Sequence, residues 1–471
     1  MWITIIIIFY VIGIISVISA VMNVRTSQGT IAWVIFLLTF PYLGVPAYWI
    51  LGRSRFHGYI VPRQSGDENI RKQLQYIFEN LNPYCIPSSE ISAVGLAAEK
   101  LVDLPYLRGN SVQLLIDGNT TFDNILAGID EARDYILFQF FIVHDDQIGC
   151  RVKEKLIKKA KEGVKIYFLY DEIGSHDLPD SYKNELRNAG IQVYDFHTQK
   201  GSRNRFQLNF RNHRKLVVVD GKVAWIGGHN VGDEYLGKDP RFGHWRDTHI
   251  KITGPAALAV QISFVEDWSW AAEQFISELT WKPVAAENDN IKILIVPSGP
   301  ADILETATLM FHHAINSAQK RIWIASPYFV PNEEIIGALQ LAGLRGVDVR
   351  ILIPDKPDHL LVYMASFSYF ENASLTGVRF FRYTNGFLHQ KVMLIDDSTS
   401  TVGTANFDNR SFKLNFEITG IIVDSAFAVE IEQMFIDDFS HAYEMTKSDI
   451  DKQSFWFKLG TRLARLTSPI Q

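Results

Sequence analysis

Apolar residues dominate two long runs at the start of the chain. Residues 1–22 are almost unbroken Ile, Val, Phe and Ala, and residues 31–51 form a second run that Pro41, Gly44 and Pro46 interrupt. Each run is long enough to cross a hydrocarbon core of about 30 Å. The pattern predicts transmembrane helices over 1–22 and 31–51, joined as a two-span hairpin. A signal peptide is the alternative for the first run, and a buried or re-entrant helix is the alternative for the second.

Basic residues next to the two runs predict their orientation. Arg25 stands alone in the loop between the runs, whereas Arg53, Arg55 and Arg63 follow the second run. Lys and Arg concentrate on the cytoplasmic side of membrane proteins. We therefore expect both the N-terminus and the large C-terminal part of the chain in the cytoplasm.

After a connecting segment at 52–104, short apolar strands alternate with helices. A buried strand is predicted at 135–143 and another at 164–170, and the same order recurs at 321–330 and 346–353. Strands separated by helices indicate an α/β fold, and the recurrence indicates an internal duplication. We predict two α/β domains at 105–287 and 288–450, followed by a C-terminal amphipathic segment at 451–471. That segment would either lie on a membrane or pack against the second domain.

The duplication contains a repeated motif, His-x-Lys-x-x-x-x-Asp, and an Asn follows each copy at the same offset. The two copies comprise His213, Lys215, Asp220 and Asn230, and then His389, Lys391, Asp396 and Asn406. Because residues i and i+2 of a strand share a face, His213 and Lys215 are expected to point the same way. Asp220-Gly221 follows a β-branched run and predicts a hairpin turn. Asp220 is therefore either a turn residue or a catalytic residue.

Two imidazoles and two ammonium groups fit one kind of chemistry. One imidazole can attack or take a proton while the other protonates the leaving group. The ammonium groups and the Asn amides can donate hydrogen bonds to an anionic, oxygen-rich transition state. No paired-carboxylate cluster and no His-Glu-x-x-His run in the sequence would hold a metal. The motif pair predicts attack of a histidine on a phosphodiester, without a metal or another cofactor.

Arg211 is a candidate for phosphate binding beside the first motif. It belongs to a basic run with Arg203, Arg205 and Arg214, and a guanidinium can bind phosphate through two parallel hydrogen bonds. Plain surface charge is the alternative for this run.

Three further residues near the motifs are candidates for the site. Thr404 stands where the first copy has Gly228, so its hydroxyl could donate a hydrogen bond to a substrate. Asp247 and Glu417 are candidates to orient an imidazole.

Overall charge argues against nucleic acid as a partner. The 471 residues carry a formal net charge of −6, and no broad basic face with interleaved aromatic residues is evident. We expect no nucleic-acid partner.

The repeated motif resembles that of the phospholipase D superfamily, and the closer resemblance is to bacterial cardiolipin synthases. The membrane hairpin, the two halves and the string Leu208-Asn-Phe-Arg-Asn-His-Arg-Lys215 carry this closer resemblance. It implies two phospholipase D-like α/β domains that form a pseudo-twofold pair, with one motif from each at a shared site. It also implies a multi-pass protein of the bacterial inner or plasma membrane, and leaves homo-oligomerisation open.

The resemblance also implies roles for the residues of the motifs. One of His213 and His389, with the first favoured, would attack phosphatidylglycerol and form a phosphohistidine, while the other protonates the departing glycerol. Lys215, Lys391, Asn230 and Asn406 would hold the non-bridging oxygens. Asp220 and Asp396 complete the catalytic signature, more as supports than as proton carriers.

The acceptor decides the product of such a reaction. A second phosphatidylglycerol would give cardiolipin, whereas water would give phosphatidic acid, as in a phospholipase D. A non-catalytic lipid-binding scaffold is the alternative from another class, although a scaffold does not require matched imidazoles.

Overall fold

The computed structural model describes residues 2–24, 26–52, 56–59, 68–91, 93–200, 209–446, 448–449 and 452–471. Six arginines named above lie outside the described residues: Arg25, Arg53, Arg55, Arg63, Arg203 and Arg205.

The described residues include fifteen α-helices. They are α1 Trp2–Asn23, α2 Ser27–Thr39, α3 Pro41–Leu51, α4 Glu68–Leu81, α5 Ala93–Val102, α6 Asp117–Glu131, α7 Gln147–Lys161, α8 Asp180–Asn188, α9 Ala256–Ala272, α10 Thr306–Ser317, α11 Glu333–Leu344, α12 Leu360–Ser374, α13 Asn409–Lys413, α14 Ser425–Ser440 and α15 Phe455–Arg465.

The strands alternate with these helices along the chain. They are β1 Leu107–Ile116, β2 Tyr135–Phe140, β3 Lys165–Asp171, β4 Gln192–Phe196, β5 Arg211–Asn212, β6 Leu216–Val219, β7 Val223–Gly227, β8 Trp245–Arg246, β9 Thr248–Thr253, β10 Ile291–Ser298, β11 Arg321–Ala325, β12 Phe329–Val330, β13 Asp348–Pro354, β14 Arg379–Tyr383, β15 Phe387–Leu388, β16 Val392–Ile395, β17 Thr399–Gly403, β18 Phe407–Asp408, β19 Asn415–Val423 and β20 Ala442–Met445.

Most strands form one 16-stranded mixed sheet, in the order β20-β14-β13-β11-β16-β17-β19-β10-β1-β9-β7-β6-β2-β3-β4, with β5 paired to β19. The strands of the first half, β1-β9-β7-β6-β2-β3-β4, follow the same order as those of the second half, β10-β19-β17-β16-β11-β13-β14. The antiparallel pair β1–β10 joins the two series. The predicted α/β class is confirmed, and residues 283–290 lie in the link between α9 and β10.

The N-terminal helices pack on one another through their own small core. Ala20, Leu37, Val45 and Tyr48 are buried together, and the Tyr48 hydroxyl donates to Ser19 Oγ at 2.9 Å. α1 is a single apolar helix, and Ile3–Asn23 is long and apolar enough to cross a membrane.

The second apolar run differs from the single helix expected over 31–51. It breaks at Phe40, whose backbone is non-helical (φ −129°, ψ 61°), into α2 and α3. Pro41 is the first residue of α3. It carries no N–H to continue the hydrogen bonds of the preceding helix, and its ring disfavours helical backbone at the residue before it. The run therefore forms two short helices.

The C-terminal helix α15 packs against α12. Thr461 and Ala464 are buried in this contact, and the rings of Phe457 and Phe367 lie 5.2 Å apart. On the other face, Phe455 and Trp456 are 70% and 76% exposed. Packing against the second half is thus observed, and it leaves an apolar face of the helix uncovered.

Candidate active site

The two motifs lie on a seam where short strands of one half pair with strands of the other. β5, which precedes His213, runs parallel to β19 of the second half, and His213 N donates to Phe416 O at 2.9 Å. β15, which precedes His389, runs parallel to β8 of the first half, and His389 N donates to Arg246 O at 2.8 Å. The backbone of each histidine is therefore held by the opposite half.

The histidines and lysines of the motifs converge, but not on a strand as predicted. Residues 213–215 and 389–391 lie between strands, with irregular backbone. Lys215 Nζ donates to the backbone oxygen of His213 at 2.7 Å, and Lys391 Nζ donates to the backbone oxygen of His389. In the second copy, the ammonium also lies 2.8 Å from His389 Nδ1. Each lysine ammonium thus contacts the histidine of its own motif.

A carboxylate from the opposite half contacts each imidazole. His213 Nδ1 lies 3.0 Å from both carboxylate oxygens of Glu417, and His389 Nδ1 lies 2.7 Å from Asp247 Oδ2. All four side chains are buried. With Nδ1–H donating to Glu417, a neutral His213 keeps the lone pair of its Nε2 for chemistry. His389 Nδ1 lies between Asp247 and the ammonium of Lys391.

The sequence difference between Gly228 and Thr404 follows from these carboxylates. A Cβ on Gly228 would come within 2.1 Å of Asp247 Oδ1, so this position has no room for a side chain. The Thr404 hydroxyl donates to Glu417 Oε2 at 2.5 Å and accepts from Ile418 N at 2.9 Å. The Thr404 hydroxyl therefore supports Glu417 in this structure, and substrate binding by Thr404 stays a prediction.

The two aspartates of the motifs are turn residues at the far ends of β6 and β16. Asp220 (φ 51°) and Asp396 (φ 50°) adopt left-handed backbone, which Asp tolerates better than most residues. Four strand residues separate Lys215 from Asp220, a span of roughly 16 Å. This position agrees with the interpretation of both aspartates as supports, and their part in catalysis stays a prediction.

Both aspartate side chains hold backbone N–H groups. Asp220 accepts hydrogen bonds from the backbone of three consecutive residues, Arg133, Asp134 and Tyr135. Asp396 accepts from the backbone of Gln319, Lys320 and Arg321. Each aspartate thus ties the motif hairpin to the start of the neighbouring central strand. The predicted hairpin at Asp220-Gly221 is confirmed by the antiparallel pair β6–β7.

The asparagines that follow the motifs are buried. Asn230 Oδ1 accepts from Ile142 N at 3.1 Å. Asn406 donates its backbone N–H to Ser411 Oγ at 3.0 Å, while within the described chain its side-chain oxygen has no hydrogen-bond partner. The phosphate-binding role of Asn230 and Asn406 remains a prediction.

Arg214 and Arg211, two members of the basic run, have different surroundings in the structure. Arg214 is buried in an ion pair with Asp267 at 2.8 Å and donates to the backbone oxygen of Glu417 at 3.0 Å, so it supports the seam and not a headgroup. Arg211 is half-buried and donates to Phe210 O at 2.6 Å. A second half-buried guanidinium, that of Arg410, donates to Asn209 O at 2.5 Å.

Sequence reasoning did not identify Arg410 or the aromatic rings that line the imidazoles. The Phe141 ring lies 4.9 Å from His213, and the Trp245 ring lies 5.1 Å from His389. The sequence gives a weak signal for Trp245, since it stands two residues before the candidate Asp247. The other two have none, because their place is decided by long-range pairing.

The electrostatics of the pocket favour an anion. Burial lowers the pKa of His213 to about 4, and Lys215 and Lys391 act in the same direction against Glu417. Burial and the same ammonium groups hold the pKa of His389 well below its ordinary value. Burial also lowers the pKa of Lys391 to about 8. A bound phosphodiester would favour the protonated forms of all these groups.

Glu417 stays ionised in this setting. Burial acts to raise its pKa, but the hydrogen bonds from His213 and Thr404 and the charge of Lys215 outweigh burial and lower it. An ionised Glu417 is the acceptor that fixes the tautomer of His213.

One group of side chains in the described part of the chain has the spacing of metal ligands. It consists of Glu172, Asp195 and His197, all partly exposed, and it contains neither imidazole of the motifs.

Paired His-Lys sites on the seam of a duplicated α/β fold, each imidazole backed by a carboxylate, define a protein of the phospholipase D class. The family described as "Cardiolipin synthase, PLD-like domain" matches residues 125–242 and 311–439. A second family, "Phospholipase_D-nuclease N-terminal", matches residues 8–53. The chain belongs to the cardiolipin synthase family of phospholipase D-like proteins, which confirms the resemblance inferred from the sequence.

Curated relatives match this chain over nearly its whole length. "Cardiolipin synthase A" of Pseudomonas putida (strain GB-1) is 48% identical over 466 residues, covering 98% of this chain and 96% of the relative. "Cardiolipin synthase A" of Pseudomonas fluorescens (strain SBW25) is 49% identical over 463 residues, covering 97% and 96%.

Solved structures share the fold. Phosphatidylserine synthase of Haemophilus influenzae Rd KW20 has a TM-score of 0.63 at 14% identity, covering 81% of this chain and 100% of that structure. Polyphosphate kinase from Porphyromonas gingivalis has a TM-score of 0.50 at 11% identity, covering 82% and 57%. At such low identity these structures support the fold alone.

Proposed function

We propose that this protein is a membrane-bound phosphatidyltransferase that makes cardiolipin and glycerol from two molecules of phosphatidylglycerol. The observation that carries the proposal is the pair of imidazoles on the seam, each with Nδ1 held by a carboxylate of the opposite half. The names of the curated relatives that match nearly the whole chain agree with it.

In the first step, Nε2 of one imidazole attacks the phosphorus of phosphatidylglycerol. A P–N bond forms, the P–O bond to the headgroup glycerol breaks, and the other imidazole protonates the departing glycerol oxygen. In the second step, that imidazole takes the proton of an incoming hydroxyl, whose oxygen attacks phosphorus and breaks the P–N bond. Asp247 and Glu417 orient the two imidazoles and stabilise their protonated forms.

Four donors hold the anionic oxygens during both steps. Lys215 and Lys391 are buried next to their histidines, and the Asn230 and Asn406 amides are buried as well. Donors fixed before the reaction begins stabilise developing negative charge without reorganisation.

The membrane part is proposed as a two-span hairpin. α1 crosses the bilayer once, and α2 and α3 together return the chain, with the buried Pro41 at the break between them. The excess of Arg53, Arg55 and Arg63 over Arg25 supports a cytoplasmic location for both ends. The two halves form a pseudo-twofold pair, an arrangement supported by their matching strand orders.

The exposed face of α15 is proposed to contact the same membrane. Phe455, Trp456 and Leu463 are exposed along it, and a large apolar patch on a protein surface indicates a contact site. Gln471 lies close to the end of α3 through a series of contacts: Gln471 O accepts from Arg410 N at 2.7 Å, Arg410 donates to Asn209 O, and Asn209 donates to Leu51 O. The face therefore suits a lipid surface.

The experiment that tests the proposed reaction supplies the purified full-length protein with labelled phosphatidylglycerol in mixed micelles. Cardiolipin together with free glycerol is the expected result. Phosphatidic acid as the main product would instead make water the acceptor and would overturn the proposal.

A further inference from the structure

Two guanidinium groups, those of Arg211 and Arg410, contact the backbone that leads to His213. Arg211 Nη1 donates to the backbone oxygen of Phe210 at 2.6 Å, and Arg410 Nη2 donates to the backbone oxygen of Asn209 at 2.5 Å. The two groups thus bind carbonyls of consecutive residues, although Arg211 belongs to the first half and Arg410 to the second. His213 follows Arg211 by two residues.

This arginine pair, Arg211 and Arg410, also adjoins the end of the membrane hairpin. Asn209 Nδ2 donates to the backbone oxygen of Leu51, the last residue of α3, at 3.4 Å. The ring of Phe56, just beyond this point, lies 5.3 Å from the ring of Phe210. The pair therefore lies between the place where the chain leaves the hairpin and the imidazole of His213. A lipid that enters from the bilayer would bring its phosphate to this region.

Two positive charges in a half-buried position repel each other. Burial lowers the pKa of Arg410 to about 10, and the charge of Arg211 contributes to this shift. The charges of Asp408, Asp171 and Glu417 act against this shift. A phosphate would add a further counter-charge, since guanidinium groups bind phosphate oxygens in pairs.

We propose that Arg211 and Arg410 bind the phosphate of the acceptor phosphatidylglycerol, the phosphate that keeps its own ester bonds during the reaction. This inference rests on the proposed function. In the second step, the acceptor's terminal hydroxyl loses its proton to an imidazole, and its oxygen bonds to phosphorus as the P–N bond breaks. Since a three-carbon glycerol unit then joins two phosphates, the site must hold a second phosphate near the reacting one.

The arginine pair gives a lipid acceptor an advantage over small alcohols and water. Phosphatidylglycerol brings a phosphate to the pair, whereas free glycerol and water bring none. Binding energy from a part of the substrate that does not react can thus position the hydroxyl that does.

Two reactions of the full-length protein in mixed micelles separate this role from general damage. Cardiolipin formation needs an acceptor with a phosphate, whereas exchange of labelled free glycerol into phosphatidylglycerol uses the same phosphohistidine with an acceptor that lacks one. For Arg410→Gln and, separately, Arg211→Gln, we expect cardiolipin formation to fall by about tenfold more than glycerol exchange, the size of a lost charged hydrogen bond. Arg410→Lys should restore part of the wild-type ratio of cardiolipin formation to glycerol exchange.

Arg379→Gln is the matched control, because Arg379 pairs with Glu444 on a partly exposed edge strand, and its ratio of the two reactions should equal that of the wild type. Equal loss of both reactions in Arg410→Gln and Arg211→Gln, whether through misfolding or through chemistry, would overturn the inference. A wild-type protein that exchanges glycerol but makes no cardiolipin would instead overturn the proposed function.

Discussion

His213 and Glu417 are 204 residues apart in the chain, yet His213 Nδ1 lies 3.0 Å from both carboxylate oxygens. The reciprocal pair, His389 and Asp247, is separated by 142 residues and joined at 2.7 Å. Each half therefore supplies the imidazole of one pair and the carboxylate of the other. Neither half contains a complete site, so the duplicated chain functions as one unit.

Removal of either imidazole should abolish transfer. His213→Ala and His389→Ala are each expected to reduce cardiolipin formation by more than about a thousandfold, because the two groups share the proton transfers and the nucleophilic attack. Product formation from labelled phosphatidylglycerol measures this. The variant His176→Ala is the control, since His176 is exposed; substantial turnover in either motif variant would contradict the mechanism.

The carboxylates should act through the imidazoles. Glu417→Gln and Asp247→Asn keep the side-chain volume but remove the charge that fixes the Nδ1–H tautomer, so the rate should fall by about a hundredfold or more. The pH dependence of the rate should shift to lower pH, because the imidazolium loses its counter-charge. A lower rate with an unchanged pH profile would indicate a packing role alone.

Asp220 should matter for stability and not for chemistry. Asp220→Ala removes the acceptor of three backbone N–H groups and places Ala in left-handed backbone, so unfolding should become easier by about 1–3 kcal/mol. Asp220→Asn keeps an acceptor oxygen and tolerates this backbone, so it should lose less. Melting temperature in detergent reports the difference; a loss of turnover in folded Asp220→Asn would restore a catalytic role.

Lowering the pH should destabilise the folded protein when no lipid is bound. The pKa of His213 is lowered to about 4 in the folded protein, against about 6.5 in an unfolded chain. Between these values the unfolded state binds the proton and the folded state does not, so stability falls as pH drops from about 6.5 to 4. His213→Gln should flatten part of this slope in melting temperature against pH. An unchanged slope would mean that His213 does not contribute to it.

The exposed face of α15 should matter on bilayers. Replacing Phe455 and Trp456 by Glu would place charges in the headgroup region, so activity on phosphatidylglycerol in vesicles should fall severalfold, with less effect in mixed micelles. Leu375→Glu is the control, since Leu375 is 73% exposed and lies outside α15. Equal activity of variant and wild type on vesicles would exclude this contact, and altered oligomeric size would assign the face to a second copy of the chain.

The sequence by itself determined the features that depend on residues close together in the chain. Apolar runs, the strand–helix alternation, the duplicated motif and the turn at Asp220-Gly221 are local patterns, because backbone periodicity and turn chemistry act over a few residues. The repeated His and Lys already indicated phosphoryl transfer. Pro41 in the sequence already indicated a break at Phe40, but a long apolar run alone predicts a single helix.

Tertiary structure decided which side chains meet. The partner of each imidazole comes from the other half, and Arg410 reaches Asn209 across 201 residues; no local pattern encodes such pairs. Position 228 has no room for a side chain because Asp247 lies against it, whereas the Thr404 hydroxyl donates to Glu417. Asp220 belongs to the turn because its oxygens find backbone donors at residues 133–135. Contacts between distant segments form only when both halves are folded and paired.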